Sequence, residues 1–350
     1  MNVGVVVHGP EVIDSGKAVL FLDWLEARAL TRAVLGGTMG RVAVLDAGLE
    51  HLIDISSRKA PSSAVLDMRS SDIVVLLSKS KNRSTGLVLG GIVAARAQAV
   101  RSLVHVDFGG GFVADWIGGS DLSGLISRDF GLDHLLPSPS LPRIRIDGGL
   151  VWRELQGAEA GEPVTCNGVV IGRALGGPVE IACRDGRFVK AKGLDIKVHG
   201  LEKLPRLDLA SATLRSGQVR RSAPSRIGSR TMSSGRGCMV MIDHSAESSF
   251  ELAAGAELAV TVGDDTTAVA SQILGRLGIP FVGIVDGDSD GLCSPGSMPP
   301  GTAIIQVDPG HDDLVGKMAK EVLNGCAGMD DLVSRIADLA GVNLVGIRRY

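Results

Sequence analysis

Aromatic side chains are scarce in this 350-residue chain, at 3%, and its single tyrosine is residue 350. Recognition of single-stranded nucleic acid by stacking bases on rings is thereby disfavoured. Cysteine is sparse as well: Cys166, Cys183, Cys238, Cys293 and Cys326 are odd in number, widely spaced and never in a CxxC pair. Neither a disulfide framework nor a zinc ribbon is indicated. Charge of one sign is also missing. A net charge of −3 provides no general attraction to nucleic acid or anionic lipid. No apolar run reaches the ~20 residues that a membrane span needs, and "MNVGVVVHGPEV" lacks the basic start and cleavage site of a signal peptide. A cytoplasmic protein with no membrane partner is expected. The opening segment carries neither a G-x-G-x-x-G fingerprint nor a Walker loop.

What is present is a globular composition, 45% apolar and 21% charged, on a chain long enough for two or three domains. Residues 1–140 alternate β-rich runs with amphipathic stretches, as in "VGVVV" then "KAVLFLDWLEARAL", and "DIVVLLS" then "TGLVLGGIVAARAQAV". Such alternation predicts parallel strands with crossover helices, and "RVAVLD" reads as a further strand. Residues 141–205 change to short alternating runs between glycine turns, with "RDGR" as a hairpin, and predict a small antiparallel β domain. Residues 206–237 form a Ser/Gly-rich segment carrying Arg215, Arg220, Arg221, Arg226, Arg230 and Arg236. It reads either as a solvated linker or as an arm that clamps phosphates or RNA. Residues 238–350 return to strand–helix alternation through "CMVMID", "ELAVTV", "PFVGIVD", "TAIIQVD" and "VNLVGI". The expected fold class is α/β, with two Rossmann-like parallel-sheet domains and the small β domain between them.

In the last segment each strand exits into a polar loop: "DHSAES", "GDDTT", "DGDSDG" and "DPGHDD". Parallel strands place these loops on one edge, where ligands bind in open α/β sheets at a topological switch point. Asp243, His244, Asp264, Asp265, Asp286, Asp288, Asp290, His311 and Asp312 are then candidates to converge. Helix capping accounts for Asp265 with Thr266, and for Asp308 ahead of "DDLVGKMAKEVL". It cannot account for "DGDSDG", which "LCSPGSMPPG" follows. Three carboxylates on alternate positions repel unless solvated or bound to a cation. An EF-hand would need Glu where Ser297 stands, so Mg²⁺ or Mn²⁺ with phosphate completing the coordination fits better. The expected cation ligands are Asp286, Asp288, Asp290, Asp264 and Asp265, with Thr266 and Thr267 donating to phosphate. Asp243, His244, His311 and Asp312 are further candidates in a two-ion site.

The first segment offers anion sites. His8 and Glu11 follow the first strand, while Asp14 and Ser15 read as caps of the next helix. "LGGTMGR" presents backbone N–H groups and Arg41, and "SKSKNRSTG" sets Lys81, Thr85 and Gly86 at a helix start. Each also has a plain reading, as a tight turn or a solvated face.

Two resemblances follow from these motifs. "AVTVGDDTTAVASQILGRLGIPFVGIVDGDSDG" resembles the core of a Toprim domain, an acid at one strand end and Asp-x-Asp at another. The resemblance implies Mg²⁺-dependent phosphoryl or phosphodiester chemistry with Asp286 and Asp288 as ligands, and Asp264 or Asp265 in place of the usual Glu. "HGPEVIDSGKA", "LGGTMGRVAVLDAGLE" and "HSAESSFEL", with the acidic stretch, resemble an uncharacterised archaeal family found mainly in methanogens. That resemblance implies an archaeal cytoplasm and no established activity. The expected function is a divalent-metal-dependent enzyme acting on a small phosphorylated or nucleotide-like molecule. A non-catalytic metal- or ligand-binding regulator, and a nucleic-acid-processing factor using the arginine segment, are the alternatives.

Overall fold

The computed structural model describes residues 1–37, 39–57, 59–204, 206–222, 238–243, 246–292, 296 and 298–350. Arg226, Arg230, Arg236, His244 and Ser297 lie outside the described residues. The chain divides into two compact units, Met1–Asn167 with Ile171–Arg226 and Gly168–Val170 with Ile227–Tyr350. The protein is α/β: two sheets of mainly parallel strands, with small antiparallel sheets between them in chain order.

The first sheet contains β1 (Asn2–His8), β2 (Leu30–Gly36), β3 (Ile53–Asp54), β4 (Ile73–Ser78), β5 (Leu103–Asp107), β6 (Phe112–Ile117) and β7 (Asp133–Leu135), in the order β3-β2-β1-β4-β5-β6-β7. β3 through β5 pair in parallel, and β6 runs antiparallel to β5. The helices around it are α1 (Pro10–Asp14), α2 (Lys17–Glu26), α3 (Gly40–Ala47), α4 (Pro61–Asp67), α5 (Arg83–Arg96) and α6 (Asp121–Phe130). They cover both faces, which is why β1 and β4 read as unbroken apolar runs. Val5 and Val7 pack with Phe21 and Leu25 of α2, while Val6 points the other way toward Val65 of α4. The strand order reverses between β1 and β4. A crevice outside the carboxyl ends of those two strands is where this topology takes ligands.

"RVAVLD" corrects the expectation of a strand, because it lies in α3. Its valines favour strands by propensity, but every residue from Gly40 to Asp46 is buried, and packing overrides a weak local preference. Gly48, in the left-handed region at φ 66°, ends the helix.

The antiparallel part contains β8 (Ile144–Asp147), β9 (Leu150–Leu155), β10 (Pro163–Cys166), β11 (Val169–Ala174), β12 (Val179–Arg184), β13 (Arg187–Lys192) and β14 (Leu194–Ile196), then α7 (Val198–Glu202) and β15 (Leu214–Ser216). Two four-stranded sheets result, β14-β11-β10-β15 and β13-β12-β9-β8. Val164, Ile171, Val179, Ile181 and Cys183 share one core. "RDGR" is the expected hairpin: Asp185 and Gly186 take φ of 50° and 75°, the positive pair that a type I′ turn requires.

The last sheet contains β16 (Cys238–Asp243), β17 (Ala256–Val262), β18 (Phe281–Val285), β19 (Ala303–Val307) and β20 (Leu344–Arg349), in that order. Its helices are α8 (Ser249–Leu252), α9 (Asp264–Leu277), α10 (Asp312–Val322) and α11 (Met329–Ala340). β16 to β19 are parallel and β20 is antiparallel to β19. The loops after β16, β17, β18 and β19 therefore do share one edge. The expected switch point is absent from this sheet, whose order never reverses; the reversal lies in the first sheet.

Candidate functional site

β17 enters α9 through Gly263, whose φ 93° and ψ 148° turn an extended strand directly into a helix. Asp264 and Asp265 fall in the first turn, where free N–H groups favour negative charge. They do not cap α9, which has no side-chain cap bond, and this corrects the capping reading of Asp265 and Thr266. Their carboxylates capture the loop after β18 instead. Asp264 Oδ2 accepts from the N–H of Asp286 (3.1 Å) and of Gly287 (2.9 Å). Asp265 accepts from the N–H of Asp290 (2.8 Å) and of Leu292 (3.0 Å). Asp286 in turn accepts from the N–H of Asp288 at 3.3 Å and from that of Gly310, after β19, at 2.6 Å. Loops from three strands are thus tied together by carboxylates.

This stitching brings one carboxylate oxygen each of Asp264, Asp286 and Asp288 within 4.8 Å of one another. Asp286 is buried, Asp264 half-buried and Asp288 exposed. Burial, with the neighbouring Asp286 charge, raises the Asp264 carboxyl above its ordinary value. Burial pushes Asp286 the same way, but the N–H donors of Gly310 and Asp288 outweigh it and hold that carboxyl below its ordinary value. One acid of the pair is kept toward its neutral form beside a charged partner, as close carboxylates require. Asp265 and Asp290 are not in this group of three among the described residues, nor are Asp243, His311 and Asp312. His311 occupies the N-cap of α10 without a side-chain cap bond, its Nδ1 lying 3.2 Å from the Pro309 carbonyl. Asp308 is therefore not the cap, which corrects that reading. Thr267 shares a 2.7 Å bond with Thr261, both buried, so its hydroxyl faces inward; Thr266 stays half-buried in the first turn.

In the first unit, register places Gly36, His8, Ser78 and Asp107 in one row at the carboxyl edge. His8 Nδ1 lies 2.8 Å from the Gly36 carbonyl and donates to it, leaving Nε2 as an acceptor. Burial, aided by the Arg215 charge, lowers the imidazole pKa against the pull of the Gly36 bond, Glu11 and Asp107. Glu11 accepts from the Arg221 N–H at 3.0 Å, and the Arg221 guanidinium donates to the Lys79 carbonyl at 3.3 Å. Lys81 pairs with Glu162 at 2.5 Å and donates to Ser216 at 3.3 Å. Thr85 completes a capping box with Asn82 at the start of α5, and Gly86 lets that helix close on Asp107 and Phe112. Arg41 is buried and donates to the Ser57 carbonyl. Asp14 and Ser15 do not cap α2, a further correction: Asp14 pairs with Arg220, and Ser15 donates to the Glu11 carbonyl.

A profile of a family described as an uncharacterized protein conserved in archaea matches residues 5–325. An uncharacterized protein of Methanocaldococcus jannaschii is 32% identical over 335 residues, covering 93% of this chain and 92% of the relative. The chain belongs to this archaeal family. No solved structure matches. No helix among the described residues is long and apolar enough to cross a membrane.

Two groups in this family member escape a reading of local motifs. Arg220 is not a solvated linker residue; its guanidinium forks onto Asp14 (2.6 and 2.8 Å) and reaches Asp46 (2.8 Å), all three side chains nearly buried. Asp107 accepts from Ser78, from Ser80 and from the N–H of Gly110, with His105 Nε2 2.8 Å from Ser78 Oγ. The signal for the second was present. "LVHVD" sets His105 and Asp107 two apart, on one face of a strand that is apolar everywhere else.

Proposed function

We propose that the protein is a divalent-cation-dependent enzyme acting on a small phosphorylated or nucleotide-like molecule, with Asp264, Asp286 and Asp288 as the protein's cation ligands. The observation that carries this reading is the approach of three carboxylate oxygens from three chain positions to within 4.8 Å. Hard oxygen donors suit Mg²⁺ or Mn²⁺, and Mg²⁺ sites commonly combine one or two carboxylates with substrate phosphate and water. A bound cation would neutralise charge developing on a phosphoryl group. The chain's own part is positional. Asp265 and Gly310 brace the loop from two sides, so that Asp286 and Asp288 are held where Asp264 meets them. Of the two acids that fit the first position of a Toprim-like pattern, Asp264 is the one beside Asp286, which supports the same chemistry.

Calorimetric titration of metal-free protein with Mn²⁺ and Mg²⁺, with and without nucleotides, tests this. Saturable binding is expected, lost in Asp286→Asn with Asp288→Asn while circular dichroism is unchanged. Binding that survives the double variant, or none in the wild type under any of these conditions, ends the reading.

A further inference from the structure

The segment 214–222 lies against the carboxyl edge of the first sheet at the point where the strand order reverses. Three fixtures hold it there: Ser216 on Lys81, Arg220 between Asp14 and Asp46, and Ser222 on Asp14. The buried Arg220 sets the position of its neighbour. Arg221 consequently bridges two loops, touching Glu11, which follows β1, and the Lys79 carbonyl, which follows β4. These are the two loops that bound a switch point.

Arg221 keeps a side-chain exposure of 35% although it is so placed, and a planar guanidinium presents more N–H donors than these two contacts use. His8 lies in the strand row beneath. Its proton is fixed on Nδ1 by the Gly36 carbonyl, so Nε2 offers a lone pair at the same edge. The edge thus joins a cation with spare donors to a neutral acceptor. A ligand answering both has an anionic group and, beside it, an O–H or N–H donor.

We infer that this edge binds a phosphate monoester, with Arg221 meeting the phosphate and Nε2 of His8 accepting from a hydroxyl or amino group of the ligand. The site stands on the first unit alone and does not depend on the cation reading of the second.

Nuclear magnetic resonance of the His8 ring, assigned by loss of its signal in His8→Gln, reads the site directly. The probes are inorganic phosphate, ribose 5-phosphate and adenosine 5′-monophosphate, added to the full chain in chelator. At least one monoester is expected to shift the ring saturably and to bind at least tenfold tighter than phosphate. Arg221→Gln is expected to weaken that binding at least tenfold with circular dichroism unchanged. The titration should persist in Asp286→Asn with Asp288→Asn. An unmoved His8 ring with all three probes, wild-type affinity in Arg221→Gln, or loss of the titration in the aspartate variant overturns the proposal.

Discussion

Arg220 has side-chain exposure of 3%, between carboxylates exposed 4% and 3% that lie 206 and 174 residues away in sequence. Nothing local marks it, since its neighbours are serines, glycines and arginines, the residue types of which solvated linkers are also made. Its cost of burial is offset only because the fork of the guanidinium matches one carboxylate bidentately and reaches a second. Removing it takes the guanidinium away from two buried acids. Arg220→Ala is expected to lower stability by about 3–5 kcal/mol in urea unfolding, with Arg220→Lys giving only partial recovery because an ammonium cannot fork. A loss below about 1 kcal/mol would mean that the acids find water in its absence. At the same scale, the aspartates of "GDDTT" were legible as strand-end acids but not as clasps for another loop. Capping and clasping use the same residue types at the same positions, and only the partner atoms distinguish them.

Elements were legible where their signals are local. The helix start at "SKSKNRSTG" and the "RDGR" hairpin were read this way, and the structure adds the capping box of Asn82 with Thr85 and the left-handed Gly278 that ends α9. The failure at α3 has the opposite cause, since a Val-rich run was buried on a helix by contacts that no local rule contains. Glycines inside helices show the same division. A Cβ on Gly90 of α5 would stand 2.5 Å from both His105 Nδ1 and Trp116 Nε1, whereas one on Gly124 of α6 would meet nothing within 4 Å. Gly124→Ala should therefore stabilise by about 0.5–1 kcal/mol through helix propensity. Gly90→Ala should instead destabilise by about 1–3 kcal/mol, because two buried rings must shift. Thermal unfolding of the two variants checks the difference in sign, and equal effects would refute the packing argument.

At the scale of the whole molecule, the two units respond to acid in different ways. Burial pushes His105 down to about 4 from an ordinary 6.5, and His8 is lowered as well. As pH falls below 6.5 the unfolded chain takes protons that the folded first unit refuses, so that unit loses stability down to about pH 4. In the second unit Asp264 is raised, so its folded form takes a proton before the unfolded chain does and gains stability as pH falls through that raised value. Scanning calorimetry between pH 7 and 4.5 is expected to show the transition of the first unit moving down with acid, less so in His105→Gln, and that of the second unit not following it. Two transitions that fall in parallel would contradict the assignment.

The sequence by itself determined the α/β class, the alternation of strands and helices, the antiparallel middle and the shared edge on which the acidic loops lie. These rest on periodicities of two and of 3.6 residues and on turn residues, all effects within a few positions of the chain. Only the tertiary structure decided where the strand order reverses, that Asp264 meets Asp286 while Asp265 holds Asp290, and that Arg220 belongs between Asp14 and Asp46. Backbone hydrogen bonds between strands carry no side-chain signature of which strand is the neighbour, and a carboxylate accepts from any donor that packing brings to it.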